Sequence, residues 1–134
     1  MDFLIITRFS LHNGILPVKK LFRPARMNRR LNIFKRYTYR SMVSQTSKNF
    51  LWVILYDQNL PEEYLIRLQK ITEGKGFIKL IKWTGWNIGN LDNYSLPLTK
   101  RYCLTVRLDD DDILAKNFVQ VTRKNCKEKM CLES

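Results

Sequence analysis

Cysteine and histidine are scarce in this chain. Three cysteines (Cys103, Cys126 and Cys131) and the single His12 fall at spacings that match no zinc site. The odd count argues against a disulfide framework, so the thiols are read as reduced. Cys103 lies in an apolar segment and is expected in the core. Long hydrophobic runs are also missing. The longest, residues 50–56, is far short of the ~20 residues that cross a bilayer. The N-terminus offers Asp2 and a short apolar patch at residues 3–6, with neither a basic leader nor a long apolar core, so it does not read as a secretory signal. The expected location is cytoplasmic, with a role at a membrane surface left open. Acidic residues are few: 12 Asp and Glu stand against 24 Lys and Arg, a net charge of +12. A field of that sign attracts polyanions such as nucleic acid, anionic lipid or a diphosphate, or it is simply a solvated basic face.

What is present is enough for one globular domain over residues 1–134. Apolar residues make up 45% of the chain, which excludes a disordered composition, and a chain this long buries roughly two-thirds of its unfolded surface. The basic charge is uneven. Residues 1–48 carry eleven Lys or Arg and one acid, and residues 19–40 carry nine bases and no acid.

The hydrophobic pattern alternates between two kinds of element. Residues 3–7 read as a buried strand, and residues 10–27 as a long connection containing Gly14, Pro17 and Pro24. From Arg29 the spacing becomes helical, with Leu31, Phe34, Thr38, Met42 and Gln45 on one face. Residues 50–56 are continuously apolar, as in a strand covered on both faces of a parallel sheet. Pro61, Glu62 and Glu63 open a second helix, because early proline and early acids suit a helix N-terminus. Gly74 and Gly76 close it. Strands are expected at 77–81 and 102–108, with an irregular stretch at 83–99 between them. Asp112 is placed to cap a last helix over about 113–130. This order predicts an α/β fold with a mostly parallel sheet flanked by helices.

The most informative segment is the run Asp109, Asp110, Asp111, Asp112. Adjacent carboxylates repel, so solvent, basic neighbours or a cation must compensate. Carboxylate oxygens are hard ligands for Mg²⁺, Mn²⁺ or Ca²⁺. The run also follows a predicted strand directly, and ligands of open α/β sheets bind outside the carboxyl ends of the strands. A solvated acidic loop is the competing reading.

Two stretches resemble a known family. Residues 39–57, YRSMVSQTSKNFLWVILYD, resemble the first helix and second strand of inverting family-two-like glycosyltransferases. Residues 107–119, RLDDDDILAKNFV, resemble their Asp-x-Asp segment and the helix after it. With ITRFS at residues 6–10, the pattern is similar to the rhamnosyltransferase group. The resemblance implies a GT-A fold, a Rossmann-like sheet that binds a nucleotide-diphosphate sugar through a divalent cation, Mn²⁺ or Mg²⁺. It implies that Asp109 lies near the ribose or metal, that Asp111 is the metal-diphosphate ligand, that Asp110 is a variable middle position, and that Asp112 either helps to position the sugar or caps the helix. It places Thr7 and Arg8 where base and ribose are met, and Asp57 against the base. A guanidinium at Arg8 would also neutralise a diphosphate or pair with the aspartates. Arg26, Arg29 and Arg30 could do the same work, with a solvated helix start the preferred reading; Trp83 and Trp86 could stack on a sugar or base, with packing the preferred reading.

The resemblance further implies an acceptor-binding half with a catalytic base after the Asp-x-Asp helix. No base is identified downstream, so the chain is expected to be truncated, with Asp57, Asp92 and Asp112 the first carboxylates to test. The fourth strand is then expected to form an open edge prone to self-association. The acceptor is unknown. The alternative function is a non-enzymatic basic module for nucleic acid or an anionic surface, although no nucleic-acid-reading motif is present. A nucleotidyltransferase-like metal site is a third reading.

Overall fold

The computed structural model describes residues 2–89, 91, 96 and 103–133, with side chains through Cys126. Four strands form one sheet: β1 (Asp2–Phe9), β2 (Leu51–Asp57), β3 (Ile78–Trp83) and β4 (Cys103–Arg107). Their spatial order is β3-β2-β1-β4, and every pairing is parallel. The fold is therefore the expected α/β arrangement, a parallel sheet flanked by helices. Beside β1 the strand order reverses, and β4 takes the far side. Ligands of open α/β sheets bind at such a switch point.

Successive strand residues point to opposite faces, and this divides the core in two. Phe3, Ile5, Phe9, Trp52 and Ile54 face one cluster, joined there by Leu104 and Val106. Leu4, Ile6, Val53, Leu55, Ile81 and Trp83 face the other. The first cluster is closed by helices. Met27, Leu31, Phe34 and Met42 come from the segment after β1, Tyr64 and Leu68 from the segment after β2, and Val119 from the segment after β4. Phe34 sits at the centre, its ring 5.6 Å from those of both Phe9 and Trp52. Among the described residues the second face is closed by loop positions, Leu11, Ile88, Leu91 and Leu96.

The helices are α1 (Val18–Leu21), α2 (Pro24–Ile33), α3 (Tyr39–Val43), α4 (Glu62–Thr72) and α5 (Phe118–Glu133). A π-helical turn, Phe34–Thr38, joins α2 to α3 into one continuous helix. Its buried positions, Met27, Leu31, Phe34, Thr38 and Met42, are those the helical spacing predicts, plus one turn at the start. That extra turn corrects the expected beginning at Arg29. Pro24 occupies the first helical turn, where its missing N–H costs nothing and its fixed φ suits the helix. The proline read as part of a loop is thus the helix start.

The last helix departs in the other direction. It begins at Phe118 and not at Ile113, because residues 113–117 spend their backbone groups elsewhere. Leu114 N–H donates to Ser41 Oγ, Gln45 Nε2 donates to the Ala115 carbonyl, and Thr46 N–H donates to the Lys116 carbonyl. Cys103 is a second correction. It is exposed, because β4 pairs only with β1 among the described residues and Cys103 points away from the helix layer. The expected self-association would run along this strand. Tyr102 and Asp92 lie outside the described residues.

Candidate functional site

Strand parity sorts the residues at the carboxyl end of the sheet. Ile6 is level with Arg107 in the β1–β4 register, and Leu108 N–H donates to the Ile6 carbonyl at 2.9 Å. Arg8 shares a face with Leu4 and Ile6. Arg107 and Asp109 point the same way from β4, and Leu108 joins the helix-side core. Arg8 and Asp109 consequently line one small cavity of about 20 Å³, with Ile6, Ile88, Arg107 and Leu108.

Beyond β4 the chain turns sharply. Asp112 N–H donates to the Asp109 carbonyl at 3.1 Å, and Asp109 N–H donates to Asp112 Oδ2 at 3.2 Å. Asp112 therefore closes its own turn and does not cap the following helix, which corrects that expectation. The turn brings carboxylate oxygens of Asp109, Asp111 and Asp112 within 4.8 Å of one another, all three exposed. Three hard oxygen donors at that spacing fit a cation of the Mg²⁺ or Mn²⁺ kind, with positions left for phosphate or water.

Asp110 differs from its neighbours. It turns toward the helices and is buried, where Arg30 Nη2 pairs with its Oδ1. Arg30 Nη1 also lies 3.7 Å from Asp111 Oδ2. Burial pushes the Asp110 carboxyl above the usual aspartate range, and Arg30 pulls against that shift. Arg30 is thus a structural partner of the acidic run, where a solvated helix start was expected. The alternation of β4 carries a usable signal: continued past Arg107, it sends every second residue toward the helix that bears Arg26 and Arg30.

Arg8 is stacked on an aromatic ring. Its guanidinium carbon lies 4.3 Å from the centroid of Trp86, a cation–π contact. Burial lowers its pKa, Arg107 adds to the shift and Asp109 opposes it. Its Nε is buried with no hydrogen-bond partner. Trp83, by contrast, is a packing residue, buried with its Nε1 donating to the Asn87 carbonyl.

Two other expected site residues are engaged elsewhere. Thr7 lies on the opposite face of β1 from Arg8. It is fully buried, and its Oγ1 accepts from Trp52 Nε1 at 2.8 Å. Asp57 is also buried. Its Oδ1 accepts from His12 N–H and its Oδ2 from Asn59 N–H, each at 2.9 Å. The first bond ties the loop leaving β1 to the end of β2. That loop contains Ser10, a non-glycine residue at φ 50°, a costly left-handed conformation. Ser10 Oγ accepts from Arg26 Nη1, which also donates to the Leu21 carbonyl.

Gln45 lies on the helical face that the sequence spacing predicts. In the fold it is a clamp. Its Nε2 donates to the carbonyls of Ser41 and Ala115, and its Oε1 accepts from the buried Val119 N–H. These bonds fix the segment after the aspartates to the end of α3.

No helix among the described residues is long and apolar enough to cross a membrane. No curated protein matches the chain. One family model, described as "Putative rhamnosyl transferase", matches residues 6–134. That match runs from the second half of β1 through the acidic turn and α5, and the chain belongs to this glycosyltransferase family.

Proposed function

We propose that this chain binds a nucleotide-diphosphate sugar at the carboxyl end of the sheet, between β1 and β4, for transfer of the sugar to an acceptor. The observation that carries the reading is the meeting of the Asp109, Asp111 and Asp112 carboxylates at the strand end that also presents Arg8. Asp109 and Asp111 would hold a divalent cation, Mn²⁺ or Mg²⁺, with Asp112 as a third ligand. When bound, the cation stabilises the charge that develops on the departing diphosphate.

The remaining work falls to the chain itself. Arg30 fixes Asp110 and thereby the turn that carries the three exposed carboxylates. Gln45 fixes the segment that follows. Arg8 supplies a guanidinium for a phosphate or ribose oxygen, oriented by Trp86. The family match supports rhamnose as the sugar. The backbone at Thr7, with its side chain turned inward, is what that position offers a nucleotide.

Thermal-shift titration with nucleoside diphosphates, with and without Mn²⁺, tests the reading. The parent chain should be stabilised only when both are present. Asp111→Ala should retain the fold and lose that joint stabilisation. Equal metal-dependent shifts in variant and parent would remove Asp111 from the site.

A further inference from the structure

The loop leaving β1 and the short helix after it form a patch with two properties seldom combined on a solvated surface. It is apolar at its tip: Ile15 is 85% exposed and Val18 38% exposed. It is also strongly basic, since Lys19, Lys20 and Arg23 are all exposed. No salt bridge engages these three cations among the described residues. The tip has a defined shape. Gly14 adopts φ 83°, and Ile15 N–H donates to Asn13 Oδ1 at 2.9 Å. Ile15 is therefore held outward by an ordered turn. The same loop is anchored at its start through His12 to Asp57.

We propose that this patch docks the protein on a lipid surface bearing anionic headgroups. An apolar side chain gains free energy when it enters the boundary between headgroups and acyl chains. Each nearby Lys or Arg is drawn to the negative surface potential. The two contributions act together only on a surface that is both charged and apolar beneath. Nucleic acid fits less well. It would use the cations, but Ile15 and Val18 offer no aromatic platform for a base and would remain in water. Because the loop departs from the carboxyl end of β1, docking there brings the end of the sheet that carries Asp109 toward the lipid. Nothing in the proposal depends on a nucleotide or a metal.

The test is flotation of the full chain with phosphatidylcholine vesicles, with and without added phosphatidylglycerol. Binding should require the anionic lipid. Ile15→Asp and the pair Lys19→Glu with Lys20→Glu should each weaken it by about tenfold or more. All three positions are exposed, so the variants should melt as the parent does. The pair Lys70→Glu with Lys75→Glu is the control of equal charge change, since both residues are exposed and precede β3, at the opposite end of the sheet; it should leave binding nearly unchanged. Any of the following results would overturn the proposal. One is an absence of binding to anionic vesicles. Another is equal weakening by the Lys70 and Lys75 pair and by the Lys19 and Lys20 pair, which would mean a diffuse field. The third is an Ile15→Asp variant that binds vesicles like the parent, or a parent that prefers single-stranded RNA to the vesicles.

Discussion

The guanidinium of Arg30 meets the carboxylate of Asp110 across 80 positions of sequence. The pair joins the long helix after β1 to the turn after β4. The Asp110 side chain is 7% exposed and that of Arg30 23% exposed, so removal of either partner strands the other where water cannot reach it well. Arg30→Met should lower stability by about 3 kcal/mol, measured by urea unfolding. Asp110→Leu combined with Arg30→Met should recover much of that loss, because no charge is then left buried. A single-variant loss under about 1 kcal/mol would show that the pair is effectively solvated.

Arg8 and Arg29 separate a local site from a general basic field. Arg8 lines the cavity with Asp109, whereas Arg29 is exposed on α2. Arg8→Ala should weaken binding of a nucleoside diphosphate with Mn²⁺ by about tenfold or more, the worth of one charge-assisted hydrogen bond. Arg29→Ala should change it little. Isothermal titration of both variants decides the matter. Equal losses would favour nonspecific attraction over a site at the strand end.

The strands and their alternation with helices were legible because each strand is a compact apolar run, and parity along β1 is implicit in that run. The division of labour between Thr7 and Arg8 was not drawn from it. Neighbours in sequence looked like neighbours in a site, although a strand sends them to opposite faces. The acidic turn was legible as a strand-end feature. Its internal sorting was not, since Asp110 is distinguished only by Arg30, a partner supplied by tertiary packing. The start of α5 is not legible for a similar reason. Residues 113–117 satisfy a helical pattern, yet Ser41, Gln45 and Thr46 claim their backbone groups. The start at Pro24, by contrast, carried a local signal that proline at a first helical turn supplies.

Thr7 provides a direct test of parity. Its hydroxyl accepts from the buried indole of Trp52. Thr7→Val keeps the shape and removes the acceptor, leaving an unsatisfied N–H in the core. The expected cost is about 1–3 kcal/mol in unfolding free energy, with nucleotide affinity unchanged for the folded fraction. A variant with parental stability and a weakened nucleotide affinity would place the Thr7 side chain in the ligand site instead.

Gln45 should matter to stability and ligand binding together. Its amide spans α3 and the segment after the aspartates, with bonds of 2.7 Å to the Ala115 carbonyl and 3.1 Å from Val119 N–H. Val119 is fully buried, so its N–H has no water to turn to once the glutamine is shortened. Gln45→Ala should therefore cost about 2–3 kcal/mol. The second effect follows from position. The segment held by Gln45 begins three residues after Asp112, so releasing it gives the carboxylates more conformations to lose on binding a cation. Mn²⁺ affinity of the folded protein should fall, although Gln45 contacts none of the aspartates. Gln45→Glu distinguishes this from a simple cavity effect. It keeps the acceptor for Val119 but removes the donor to Ala115 and introduces a buried charge, so it should destabilise at least as much as alanine despite its matching shape. Melting curves with and without Mn²⁺ give both quantities. A Gln45→Glu variant as stable as the parent would show that packing at this position, and not its hydrogen bonds, holds the acidic segment in place.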